Sequence, residues 1–168
     1  MIREAILEDA GAIARIHVDT WRVAYAGIVP DAFLAKLSEE QRIQSWQDQL
    51  TDGRTMTLVA EKEGQVIGWA SGGASRDPDA HGEAEIYAIY LSSAHWGCGV
   101  GRELMAMMEE TLPDHQGATL WVLQDNQRAI RFYEKMGYRP DGAKKEIHLG
   151  GKGLCELRFR KGLFNNIG

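Results

Sequence analysis

Residues 84–102 read AEIYAIYLSSAHWGCGVGR. An apolar run from Ala84 to Leu91 ends in a turn with glycine at 97, 99 and 101. A helical pattern then begins at once, with Val100, Leu104, Met108 and Leu112 recurring every fourth residue. A strand that feeds a helix through such a turn bares amide N–H groups that have no partner inside the helix. The helix dipole adds positive potential at the same place. With no side chains intervening, the backbone can approach an anion closely, so the stretch has the makings of a phosphate cradle. A plain connecting turn remains the alternative at this point, because short glycine motifs recur by chance.

The turn does not fit the two commonest nucleotide fingerprints. No Gly-Lys-Ser/Thr closes it as in a Walker loop. Arg102 and Glu103 stand where a dinucleotide-binding turn calls for another glycine, and the strands before it read as a hairpin rather than a βαβ unit.

The remaining chain supplies strands and helices for one mixed domain. Residues Ile2 to Ile6 read as a first strand. Ile13, Ile16, His17, Thr20, Trp21 and Ala24 form one face of a helix opened by Glu8 and Asp9, and a second helix is expected from Asp31 to Leu50 after Pro30. Thr55 to Glu61 and Val66 to Gly72 read as a hairpin turning at Gly64, and Thr119 to Leu123 as a further strand. Asn126 is placed to cap a helix carrying Ala129, Phe132, Tyr133 and Met136 inward, with Gly137 as its left-handed stop. After Gly150 and Gly151, the apolar residues Cys155, Leu157 and Phe159 alternate with Glu156, Arg158 and Arg160, the pattern of a half-buried closing strand.

Composition narrows the function. The 168 residues suit a single domain spanning 1–168; 44% are apolar and 26% charged, ordinary for a folded protein. A net charge of −5 and the lack of any lysine- or arginine-rich block argue against nucleic acid as a partner. The first residues carry no basic-then-apolar leader, and no run of about 18 apolar residues occurs, so a cytoplasmic protein without a membrane partner is expected. The two cysteines, Cys98 and Cys155, are too few for a disulfide framework, the five histidines have no metal-ligand spacing, and no metal is expected.

Three ordered segments carry a resemblance to a known family. WGCGVG, Trp96 to Gly101, is similar to the pyrophosphate loop Gln/Arg-x-x-Gly-x-Gly/Ala of the GNAT superfamily of acetyl-CoA-dependent N-acetyltransferases, with Trp96 departing from Gln or Arg. NQRAIRFYEKMGYR, Asn126 to Arg139, resembles the family's Asn-x-x-Ala-x-x-Phe-Tyr-x-Lys-x-Gly-Phe/Tyr helix at every fixed position. AEIYAIYL resembles its central strand. TWRVAYAGIVPDAFL, Thr20 to Leu34, is similar to the N-terminal helices of small bacterial members, phosphinothricin-type acetyltransferases included.

The resemblance implies an α+β fold, an α/β sandwich whose mixed, mostly antiparallel sheet is splayed at the central strand with helices on both faces. It implies acetyl-CoA as co-substrate, its pantetheine paired with the backbone of Ile89, Tyr90 and Leu91, and its diphosphate on the loop of Trp96, Gly97, Cys98, Gly99, Val100, Gly101 and Arg102. Asn126 reaches the cofactor, with Arg128 or Arg102 near its phosphates or adenine. It implies direct transfer, which leaves Cys98 a small loop residue. Tyr133 stands near the sulfur as general acid, a role the motif favours over the plain core packing that its helical stripe would also fit. Trp21 and Tyr25 border the acceptor site, and a homodimer is compatible with the family.

The chemistry asks for a base as well. An alkylamine with pKa near 10.4 is almost wholly protonated at neutral pH, so freeing the nucleophile costs roughly 4 kcal/mol. Alternation along the strand puts Glu85, Tyr87, Ile89 and Leu91 on one face, which makes Glu85 the leading candidate, with Glu83 or ordered water as alternatives and Tyr87 beside the acceptor. His17, on an apolar face, reads as a core histidine. The expected function is transfer of acetyl to the primary amine of a small molecule. A non-catalytic acyl-CoA-binding module, acetylation of a protein or peptide amine, and a nucleotide-dependent enzyme using the same turn are the other readings.

Overall fold

A computed structural model describes residues 1–80, 82–112 and 116–163. In chain order the strands are β1 (Ile2–Glu4), β2 (Met56–Lys62), β3 (Gln65–Ala74), β4 (Ala84–Leu91), β5 (Gly117–Leu123), β6 (Arg139–Leu149) and β7 (Lys152–Gly162). The helices are α1 (Ala10–Ala24), α2 (Asp31–Ala35), α3 (Glu39–Asp52), α4 (Val100–Thr111) and α5 (Gln127–Lys135). All seven strands join one sheet in the order β1-β2-β3-β4-β5-β7-β6. Every neighbouring pair is antiparallel except β4 with β5, which is parallel. A parallel pair needs a crossover, and α4 supplies it.

Helices cover both faces. On one, α4 and α5 bury Leu104, Met105, Met108 and Ile130 against Leu58, Ile86, Leu120 and Phe159. On the other, α1 and α3 pack Ile13, Ala14 and Trp46 on Val59 and Trp69, while α1 and α2 cover Leu123 and Leu154. Burial on both sides explains why β2 is enclosed from Thr57 to Ala60 instead of alternating.

Three departures from the sequence expectation have local causes. The helix expected from Asp31 to Leu50 is two helices, because Ser38 is extended (φ −105°, ψ 118°) and its hydroxyl accepts from the Gln41 amide at 3.2 Å, starting α3 afresh. Strand β6 was not anticipated; it is an edge strand rich in charge, with Pro140, Lys144 and Lys145 and a register break between Pro140 and Lys144. The third is a bulge in β4. Ser71 pairs with Ala88 but Gly72 pairs with Ile86, so Tyr87 is the extra residue. A Cβ on Gly73 would meet the Tyr87 hydroxyl at 2.9 Å; the bare glycine leaves room for that ring, whose hydroxyl donates to the Ala74 carbonyl at 2.6 Å.

The bulge corrects the assignment of one face to Glu85, Tyr87, Ile89 and Leu91. Beyond Tyr87 the alternation is reversed: Ile89 joins Ile86 against the α4 and α5 core, whereas Ala88 and Tyr90 face α1 and α3.

Candidate active site

β4 and β5 are paired only at Ala84 with Ala118 and Glu85 with Thr119. Beyond that point they part, and a cavity of about 880 Å³ occupies the gap, within the range of cofactor sites. Its walls come from both faces of the sheet: Trp21 of α1 and the following Tyr25 on one side, Ala129, Phe132 and Tyr133 of α5 on the other.

The glycine turn lies at one end of this cavity. Gly97 and Gly99 adopt φ of +80° and +88°, conformations that only glycine enters freely, and Gly99 is the N-cap of α4. Glu103 is the first residue of the helix whose amide bonds back, to the Gly99 carbonyl at 3.2 Å. The amides before it belong to the unpartnered first turn. Trp96 fills the position where the family pattern has Gln or Arg; its indole donates to the Leu91 carbonyl at 2.7 Å, and the Arg128 guanidinium lies over the ring, 3.2 Å from its centroid. Both Arg102 and Arg128 line the cavity, and burial together with Arg131 holds the Arg128 guanidinium below its ordinary pKa. The Cys98 thiol is tied to the His95 carbonyl. Val100 does not line the cavity; its side chain packs with Ala60, Ile67 and Leu91, leaving only its amide for the cradle.

Asn126 caps its helix and also faces the cavity. Its side-chain oxygen accepts from the Ala129 amide at 3.2 Å as the α5 cap, and the residue lines the cavity.

Tyr133 lies between the α5 core and the cavity. Burial pushes its phenol well above the ordinary range, with Tyr90 a lesser contributor, so the group stays protonated. The hydroxyl of Tyr138, on the next turn of chain, is spent on Glu109 at 3.1 Å, whereas among the described residues no hydrogen bond engages that of Tyr133. On the opposite wall Trp21 donates to the Tyr90 hydroxyl at 3.0 Å, and the Tyr25 and Tyr90 hydroxyls are 3.5 Å apart. Burial raises both of these phenols as well.

Not every predicted residue comes together. Ile89, Tyr90, Leu91, Trp96, Gly97, Cys98, Gly99, Gly101, Arg102, Asn126, Tyr133, Trp21, Tyr25 and Tyr87 all line the cavity. Glu85 does not. Its carboxylate is buried, and Arg76 occupies both oxygens, the backbone amide at 3.0 Å on Oε1 and the guanidinium at 2.7 Å on Oε2. Glu83 pairs with Arg160 at 3.3 Å, also away from the lining. The carboxylates that do line the cavity are Glu103, in the first turn of α4, and Glu156, on β7. Trp121 was missed too; its indole is held by Asp77 at 2.9 Å, and Asp77 in turn by the buried Arg158. Among the described residues no cluster of three or more metal-binding side chains occurs, and no helix is long and apolar enough to cross a membrane.

Comparison with known proteins agrees with this geometry. The profile of the acetyltransferase (GNAT) family matches residues 12–138. YuaI of Bacillus subtilis strain 168, described as an uncharacterized N-acetyltransferase, is 33% identical over 93% of this chain and 89% of its own. PaiA N-acetyltransferase from Thermoplasma acidophilum, solved with coenzyme A, superposes with a TM-score of 0.75 at 19% identity, covering 96% of this chain and 98% of that one. YncA from Salmonella typhimurium, solved with acetyl-CoA, gives a TM-score of 0.72 at 20% identity over 100% and 96% of the two chains. The chain belongs to the acetyltransferase (GNAT) family of acetyl-CoA-dependent N-acetyltransferases.

Proposed function

We propose that the protein acetylates the primary amine of a small molecule by direct attack of the amine on acetyl-CoA, in the cavity where β4 and β5 part. The observation that carries this is the run of features along one opening: unpartnered amides at the glycine turn, an unpaired strand edge, and a protonated phenol with no hydrogen-bond partner among the described residues. Coenzyme A and acetyl-CoA in the two fold neighbours support the choice of ligand.

Acetyl-CoA supplies an activated thioester. The first-turn amides of α4 hold its diphosphate, with Arg102 and Arg128 adding positive charge. The backbone edge of Ile89, Tyr90 and Leu91, unpaired with β5 and with the Leu91 carbonyl already accepting from Trp96, pairs with the amide-containing arm as a neighbouring strand would. Tyr133 donates its phenolic proton to the departing sulfur. Trp21, Tyr25 and Trp121 also line the cavity, an aromatic enclosure suited to a small amine.

The test is release of free CoA when acetyl-CoA is mixed with a panel of small primary amines. Release above the rate without enzyme is expected for at least one amine. Tight CoA binding with no release across the panel would indicate a non-catalytic binding module, and protection from thermal unfolding by ATP or NAD in place of CoA a nucleotide site.

A further inference from the structure

We infer that Glu156 is the proton acceptor for the incoming amine. This rests on the acetyltransferase function proposed above and assigns the base within the same cavity.

Glu156 sits on β7 opposite Leu123 of β5 and Lys145 of β6, on the sheet face covered by α1 and α2. Its side chain is 18% exposed, enough for an amine to reach it and too little for full hydration. Among the described residues its single ion-pair partner is Lys145, at 3.7 Å, a loose contact compared with the two-point clamp of Arg76 on Glu85. Glu85 is clamped at both oxygens and lies off the cavity, so it is not presented to a substrate, whereas Glu156 lines the cavity, is loosely paired and keeps acceptor sites open.

The surrounding charges favour the role. Burial pushes the Glu156 carboxyl above the ordinary carboxylate range; Lys145 and Arg76 pull it back, and Glu85 pushes it up. Among the described residues, the groups on the other packed elements that interact with it are phenols, those of Tyr25, just after α1, and Tyr90 of β4. A partly desolvated carboxylate of raised pKa is a better match to an alkylammonium than a solvated one.

The proton balance closes without a further reactant. The amine arrives as the ammonium and gives one proton to Glu156. The carbon–nitrogen bond forms as the carbon–sulfur bond breaks, the sulfur takes the Tyr133 proton, and the second amine proton restores the phenol. Glu156 then releases its proton to solvent, so each turnover yields the amide, CoA and one proton.

The experiment is CoA release against pH for wild type, Glu156→Gln, Glu156→Asp and Lys145→Met, with CoA affinity measured by calorimetry. Glu156→Gln is expected to bind CoA within twofold of wild type, to lose at least 100-fold in kcat/KM and to lose the acidic limb of the pH profile. Glu156→Asp restores part of the rate. Lys145→Met keeps the limb but moves it to higher pH, because the opposing cation is gone; this readout does not depend on the Gln variant folding. Activity of Glu156→Gln within threefold of wild type with an unchanged acidic limb would overturn the assignment alone. So would a raised KM with kcat and the limb intact, which marks simple attraction of the cation. A wild-type protein that binds CoA and acetylates no amine overturns the acetyltransferase function and this assignment together.

Discussion

The Trp96 indole donates to the Leu91 carbonyl oxygen at 2.7 Å. The bond ties the last residue of the central strand to the first of the glycine loop. It therefore sets the distance between the strand edge proposed to pair with pantetheine and the amides proposed to hold the diphosphate. The same ring carries the Arg128 guanidinium. Trp96→Phe removes the bond and keeps the platform, at a cost of about 1 kcal/mol. Trp96→Ala removes both and is expected to weaken CoA binding about tenfold, with calorimetric titration as the check.

Gly99 and Gly101 are expected to respond differently to the same change. Gly99→Ala forces a side chain into φ +88°, costing about 1 kcal/mol of stability and weakening CoA binding through the displaced amides. At Gly101 an added Cβ meets only the Phe132 ring, at an ordinary 3.5 Å, so Gly101→Ala keeps its melting temperature. Thermal unfolding of the two variants side by side separates strain from space.

Tyr133→Phe keeps the ring contacts, 5.5 Å to Phe132 and 6.4 Å to Tyr138 between centroids, and deletes only the donor. CoA affinity is expected to hold while kcat falls about 100-fold. Because burial raises the phenol, wild-type activity shows no alkaline limb from this group below pH 10. Steady-state rates from pH 6 to 10 measure both effects.

His17 gives a stability prediction. It stacks among Trp21, Trp69 and Tyr90 with both ring nitrogens buried and without a hydrogen-bond partner among the described residues, and burial, with a smaller contribution from Arg42, lowers its pKa to about 4. Between pH 6.5 and 4 the unfolded chain takes up a proton that the folded one refuses, so stability is full above 6.5 and falls as pH drops, by up to about 3 kcal/mol. His17→Phe is expected to flatten the slope of urea-unfolding free energy over that interval.

The parts of the fold legible in sequence are those fixed by local pattern. The glycine turn, the Asn126 cap and the stripe of Leu104 and Met108 all appear where periodicity and turn chemistry put them. What stayed hidden depended on pairing across the sheet. The extra residue at Tyr87 shows only against the β3 register, and it redirects every side chain after it. Glu156 alternates with apolar neighbours and so reads as solvated, but α1 and α2 cover the sheet face it shares with Leu123 and Leu154, and its side chain is only 18% exposed. One signal was available in plain view: Ser38 followed by Gln41 three residues on is a capping pattern, and it marks where α3 begins.

The most direct test of the account is a crystal structure with acetyl-CoA bound. The diphosphate is expected on the amides of residues 97–102, the pantetheine arm along Ile89 to Leu91, and the thioester sulfur within hydrogen-bond reach of the Tyr133 hydroxyl. A ligand seated outside the gap between β4 and β5, or a sulfur beyond reach of that phenol, would contradict it.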